Sequence, residues 1–185
     1  MNNAILDVIN RRRSSREFLP DQLKKSEWQT LLQAGMCAPF AQAGSRHFTF
    51  IQNQDMILRL NKSAKDTAIA MEIPGLSQLA QNPDFHCTYR APSLILLSGK
   101  SDTISPEADC AAAAENILIA AEALDLGACW IYFTVLAFLS PEADVLRADL
   151  KIPKEYRPLA SIALGYRKRS AQEPPQNSQP VTIVL

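Results

Sequence analysis

Apolar residues near the start of the chain fall at Ile5, Leu6, Val8 and Ile9, a spacing that predicts a short first helix. A second helix is expected from Ser26 as N-cap to about Cys37, with Trp28, Leu31 and Leu32 along one side. Ala38-Pro39 ends it, because the residue before a proline is driven out of the helical region. His47 to Gln52 alternates aromatic and β-branched residues and predicts a strand. A polar helix follows from about Asp55, then an irregular stretch through Pro74, Gly75, Asn82 and Pro83. Ser93 to Ser98 is an apolar run too short for a buried helix, so it reads as a buried strand. A long helix is expected over about Pro106 to Leu124, with Ser105 as N-cap, Pro106 in the first turn, and Glu107 and Asp109 near the positive end. Ala128 to Phe133 and Leu159 to Leu164 supply the remaining strands. This order of elements is α+β, and no internal repeat interrupts it.

The long helix carries an irregularity. At 100° per residue, Glu115, Glu122 and Asp125 share one face, which the pattern makes the wet side. Asp109 and Asn116 fall opposite, among Ala112, Ala113, Ala120 and Leu124. Polar groups on an apolar face must find partners or forfeit ~1–3 kcal/mol each. Two roles stay open for them: satisfying backbone or water within the core, or orienting a loop beside a ligand.

Composition narrows the possibilities. The 185 residues are 47% hydrophobic, enough for one globular domain with a sizeable core, taken here as residues 1–185. Nineteen basic and nineteen acidic side chains give zero formal charge, which argues against a nucleic-acid protein. No apolar run approaches the ~18–20 residues that span a bilayer. Asp7 and Arg11 to Arg13 leave no secretory hydrophobic region near the start, so a cytoplasmic location is expected. Cys37, Cys87, Cys110 and Cys129 are scattered, and the chain has only two histidines, so no metal site is expected and the cysteines read as free thiols. Cys37 and Cys129 lie in apolar stretches and are expected to be buried.

The densest chemistry lies in Arg11-Arg12-Arg13-Ser14-Ser15-Arg16-Glu17-Phe18. Four guanidinium groups and two hydroxyls in six residues suit a phosphate, because Arg binds phosphate oxygens bidentately and Ser adds a short neutral bond. The competing reading is that Arg11 to Arg13 only complement the negative end of the first helix, for about 0.3–1 kcal/mol each.

Further blocks join this one. Arg12-Arg13-Ser14-Ser15-Arg16-Glu17-Phe18 resembles the opening signature of the nitroreductase family of FMN-dependent enzymes. Ala38-Pro39 followed by His47 to Asn53, then Asn82-Pro83-Asp84-Phe85 and Ala91-Pro92-Ser93-Leu94-Ile95, resemble the blocks that follow it. The most extended correspondence runs from Asp109-Cys110-Ala111 through Glu115-Asn116 and Ala120-Ala121-Glu122 to Gly127-Ala128-Cys129-Trp130-Ile131. Ile152-Pro153 and Ala163-Leu164-Gly165-Tyr166 close it. The resemblance implies a mainly antiparallel central sheet flanked by helices, in an interlocked homodimer. It also implies FMN as cofactor, NADH or NADPH as electron donor, and nitroaromatic, quinone or related acceptors, reduced in ping-pong fashion.

Carried over by position, it gives Arg12 and Ser14 to the FMN phosphate, with Arg16 reaching toward the flavin ring or ribityl chain and Arg13 among the cofactor-binding residues. A cation at the pyrimidine end would favour the charge the ring gains on reduction, which is the protein's lever on potential. Hydride transfer needs no protein nucleophile or base, so no catalytic side chain is assigned. Tyr132 and Phe133 would place backbone N–H groups near the ring, where the family has smaller or acidic residues. Two departures matter. Ala38 to Arg46 is one residue short of the family's loop and lacks its Ser, Asn and Trp, leaving Gln42, Ser45 and Arg46 as substitute donors. Pro174-Pro175 is followed by Gln176-Asn177-Ser178 in place of a phosphate-binding cation, leaving Arg167 and Arg169, with Lys168, as the nearest stand-ins.

The altered 40–46 loop keeps a second reading open, a flavin-binding or sensory protein of the same fold without turnover. Residues 170–185 read as an extended C-terminal arm. Ser170 to Pro180 holds three prolines and no apolar side chain larger than alanine, and the arm ends in the β-prone Val181-Thr182-Ile183-Val184-Leu185. Such an end is expected to add to a sheet, its own or a partner's.

Overall fold

A computed structural model describes residues 3–169 and 179–184. Helix α1 (Ala4–Arg11) is opened by Asn3, whose side-chain oxygen accepts from the Ile5 N–H at 3.0 Å. Helix α2 (Lys25–Met36) begins before Ser26, because Glu27 reaches back to accept from the Lys24 N–H at 2.7 Å and fixes the first turn there. Strand β1 (Arg46–Ile51) leads to α3 (Gln54–Ala70), capped by Asn53. The sequence reads α3 as polar, yet Ile57, Leu60, Ala64 and Ala68 form a fully buried stripe along it. The expected irregular stretch contains α4 (Pro74–Gln81), with Pro74 in its first turn, where a proline's missing N–H costs nothing.

Strand β2 (Ser93–Lys100), helix α5 (Pro106–Ala123), strand β3 (Leu126–Ile131), a 3-10 helix over Phe133–Leu139, helix α6 (Ala143–Asp149) and strand β4 (Tyr156–Tyr166) complete the fold. β3 stops at Ile131, so Phe133 opens the 3-10 helix and does not lie in the strand. The sheet order is β1-β2-β4-β3, with every pair antiparallel.

Helices cover both faces of this sheet, which explains the unbroken apolar run of β2. Leu94 and Leu96 join Cys129, Ile131 and Ala163 in a core with α3, the 3-10 helix and α6. Ile95 and Leu97 join Ala128, Ile162 and Leu164 in a second core with α2 and α5. A strand buried on both sides has no polar alternation to show. Cys129 is buried as expected, but Cys37 is exposed, because it caps the end of α2 and has left the packed face.

α1 buries none of its residues, and Ile5, Leu6 and Ile9 are exposed together on its apolar side. Val181, Ile183 and Val184 are also exposed and lie in no strand, while residues 170–178 and Leu185 of the expected arm fall outside the described residues. No helix among the described residues is long and apolar enough to cross a membrane.

Candidate functional site

The arginine segment is sewn to the open edge of the sheet. Ser14 bridges Ala128 in parallel fashion, and the Ser15 N–H donates to the Ala128 carbonyl at 2.8 Å. Phe18 bridges Arg167, the Leu19 N–H donates to Tyr166 O at 2.9 Å, and the Lys168 N–H donates to Glu17 O at 3.2 Å. Glycine chemistry decides where Phe18 lies. Gly127 and Gly165 pair across β3 and β4, and a Cβ on either would approach the Phe18 ring to 3.0 and 3.1 Å. The missing side chains leave a groove for that ring, and the ring pins the loop.

So held, the segment presents unequal cations. Arg11 Nε donates to Glu122 Oε1 at 2.9 Å, and Arg167 Nη2 donates to Glu122 Oε2 at 2.9 Å and to Leu126 O at 2.8 Å. Glu122 is therefore 4% exposed and paired, where helical periodicity predicts the wet face. Two guanidinium forks, from residues distant in sequence, supply the acceptor contacts a buried carboxylate needs. Arg12 faces Glu115 at 3.4 Å across a half-open surface. Arg13 donates to the Arg12 carbonyl, while its Nε and Nη2 are buried without any partner. Ser14 is exposed. Arg16 makes no ion pair among the described residues and lies over the Tyr89 ring, 5.8 Å from its centroid. Tyr89 is the main influence raising its pKa. The buried Cys129 thiol beneath is pushed up by burial, against Arg16, Ser14 and Arg12, which pull it down. Unpartnered guanidinium donors in the same short segment as an exposed serine are groups of the kind that bind anions.

The 38–46 loop is built differently. Asp109 Oδ1 accepts from the Ala41 N–H at 2.9 Å. Its carboxyl is held below the usual range, chiefly by the Ser45 hydroxyl and then by the Ala41 N–H, although no bond of normal geometry joins Ser45 to it. Arg46 donates to the carbonyls of Ala38 at 3.0 Å, Asp109 at 3.3 Å and Pro39 at 3.4 Å, with its fork near the Phe40 and Phe48 rings. Asn116 donates to Ala34 O at 3.1 Å. Asp109 thus orients a loop and Asn116 satisfies the backbone of α2. At 1.5 Å per residue, Asp109 lies ~9 Å along α5 from Glu115 and ~20 Å from Glu122, so the two loops sit against different parts of that helix.

The profile of the nitroreductase family matches residues 9–166, the span that contains both loops and all four strands. The chain belongs to the nitroreductase family. A protein of Methanothermobacter thermautotrophicus with the provisional name NADH dehydrogenase/NAD(P)H nitroreductase is 27% identical over 169 residues, covering 88% of this chain and 76% of that one. A protein of the same name from Archaeoglobus fulgidus is 27% identical over 172 residues, covering 88% and 85%. A nitroreductase of Bacteroides fragilis, solved with bound FMN, superposes with a TM-score of 0.90 at 27% identity, covering 100% of this chain and 99% of that one. The fold is also that of a Desulfitobacterium hafniense nitroreductase, with a TM-score of 0.89 at 22% identity and full coverage of both chains.

In this member of the family the expected residues divide into three groups. Arg12, Arg13, Ser14 and Arg16 come together at the β3 edge, and Tyr132 lies exposed just past that strand. Phe133 turns inward and packs edge-on against Phe85, with ring centroids 5.0 Å apart. Arg46 is engaged inside its own loop and the Ser45 hydroxyl is buried, Ser45 being 1% exposed, so neither faces outward as a substitute donor; Gln42 stays exposed. Arg167 is likewise no stand-in for the missing cation, since its charge is already matched by buried Glu122. Arg169 is exposed and pairs with Glu17 at 3.2 Å. Residue reading missed Glu122, Phe18 and Tyr89 as parts of the site. For Phe18 a signal existed, in two glycines at matching places of two strand blocks.

Proposed function

We propose that the chain is an FMN-dependent oxidoreductase that passes electrons from NADH or NADPH to quinones, nitroaromatics or related electron-poor acceptors. The observation that carries this reading is the arginine segment at the β3 edge, where Ser14 and Arg16 are exposed and the Nε and Nη2 of Arg13 are buried without partners. Unpaired buried donors are costly unless a ligand satisfies them, and a phosphate fits. Relatives named for NAD(P)H nitroreductase activity and a 27%-identical FMN-bound structure support the same cofactor. Bound here, FMN supplies the redox chemistry. Arg12 and Ser14 would hold its phosphate with Arg13 beside them in the chain, Arg16 would serve the ring or ribityl chain, and Tyr132 would offer backbone at the β3 end. Gln42 and Arg169 are secondary contacts. The reduced nicotinamide would give up a hydride, its two electrons and proton, and leave before the acceptor enters. The acceptor takes up the electrons in the same space, and solvent supplies any proton it still needs. The protein should purify yellow, NADH or NADPH should bleach it, and initial-rate plots with a quinone should be parallel. Flavin that binds but is reduced by neither nicotinamide would favour the sensory reading.

The working unit is a homodimer. Exposed Ile5, Leu6 and Ile9 on α1, and exposed Val181, Ile183 and Val184, are apolar surfaces that a single chain leaves uncovered. The separation of the two loops along α5 supports a site completed by the partner's 38–46 loop. Truncation after Ser170 should weaken the dimer and release FMN together, as read by light scattering and flavin fluorescence. A truncated dimer holding flavin normally refutes this role for the arm.

A further inference from the structure

The turn that leads into β2 is conformationally strained. Tyr89 and Arg90 are consecutive non-glycine residues with φ of 54° and 55°, in the left-handed region that side chains rarely enter. Such strain persists only where the surroundings over-determine it. Here they do. The Tyr89 N–H donates to His86 O at 2.9 Å, and the Ala91 N–H donates to Thr88 O at 3.0 Å. The Thr88 hydroxyl, on a residue with no exposure, lies 2.9 Å from His86 Nδ1. α3 holds the turn from below: Asn61 Oδ1 accepts from the Cys87 N–H at 2.9 Å, and Lys65 Nζ donates to Phe85 O at 2.9 Å and Asn82 O at 2.8 Å.

What this turn delivers is the Tyr89 ring, set under the guanidinium of Arg16. Tyr89 also packs, half-buried, against the core that α3 shares with the sheet. Arg16 is exposed and has no carboxylate partner among the described residues, so Tyr89 is what restrains it. We propose that Tyr89 is a positioning residue, presented by the strained 86–91 turn, that holds the Arg16 guanidinium in the orientation in which it meets the flavin. This rests on the FMN reading above. A cation held over an aromatic face keeps its charge and loses rotamer freedom before the ligand arrives, so binding need not impose that order.

The test has one arm without cofactor. In the apo-protein, ¹⁵N relaxation of the Arg16 Nε–H should report restricted motion, lost in Tyr89→Leu and kept in Tyr89→Phe. Tyr89→Met, which keeps the bulk and lacks the π face, replaces Tyr89→Leu should that variant not fold. In the FMN arm, Tyr89→Leu should weaken binding about fivefold and move the flavin potential to more negative values. The same substitution in an Arg16→Gln background should do neither, because coupling then has no carrier. Unaltered Arg16 relaxation in Tyr89→Leu, or equal effects in both backgrounds, overturns the positioning role. Wild-type protein that binds no FMN sinks the functional reading, while the relaxation arm still decides whether Tyr89 holds Arg16.

Discussion

Arg11 and Arg12 are adjacent and identical in chemistry, yet substitution should separate them cleanly. Arg11 donates to a carboxylate that is 4% exposed, while its own side chain is 58% exposed. A hydrogen bond to a charged group is worth ~1.5–3 kcal/mol when buried. Solvent on the Arg11 side reduces this toward ~1 kcal/mol, and Arg167 still pairs Glu122. Arg11→Ala should therefore lower the melting temperature of the apo-protein by about 2–4 °C, the change that ~1 kcal/mol produces in a chain of this size. Its effect on FMN affinity should stay within about twofold. Arg12 faces Glu115 at 3.4 Å, with the two side chains 30% and 47% exposed, a pair worth little to stability. Toward a phosphate it makes charge-assisted bonds worth ~1.5–3 kcal/mol, so Arg12→Ala should raise the FMN dissociation constant roughly 10- to 150-fold. Fluorescence titration with FMN and thermal melting of both variants decide the matter. Equal losses of affinity would mean that the cluster acts as a diffuse field, and both losses should then shrink together at ~1 M salt, where the Debye length is about 3 Å. A larger affinity loss from Arg11→Ala would refute the assignment outright.

Gly165→Ala places a methyl 2.8 Å from the Pro92 ring and 3.1 Å from Phe18, so it should cost ~1–3 kcal/mol in urea unfolding and weaken FMN as Phe18 is displaced; normal values for both would show that the groove is not needed. Burial, then the charges of Arg90 and Lys65, push His86 down from 6.5 to about 4. The unfolded chain then binds more protons than the folded one between those values, so stability should fall as pH drops from about 6.5 to about 4. His86→Gln should flatten that part of a series of urea melts, and an unchanged slope would assign the loss to other groups.

What could be read in advance was local. The apolar run of β2, Ser105-Pro106 ahead of α5 and the crowding of Arg12, Arg13, Ser14 and Arg16 each carry their physics within a few residues, and each stands where its pattern places it. Pro74 misleads in the same window, because a proline that breaks a helix interior is equally suited to its first turn. Glu122 could not be read locally at all. Its angular position on α5 groups it with exposed Glu115, and only partners 111 residues before it and 45 after it make its burial tolerable. Periodicity reports where a side chain points and says nothing of what meets it there.

The 38–46 loop shows the same limit applied to family resemblance. Ala38-Pro39 and the strand after it stand where the pattern puts them, but Asp109 and Arg46 tie the loop to its own chain through Ala41, Ala38 and Pro39. Resemblance carried the path of the backbone here and not the free donors. An arginine can offer its fork to a ligand only if nearby carbonyls have not already taken it, and Arg46 meets three. Of the substitutes the sequence offered in that loop, exposed Gln42 is therefore the one still able to reach outward.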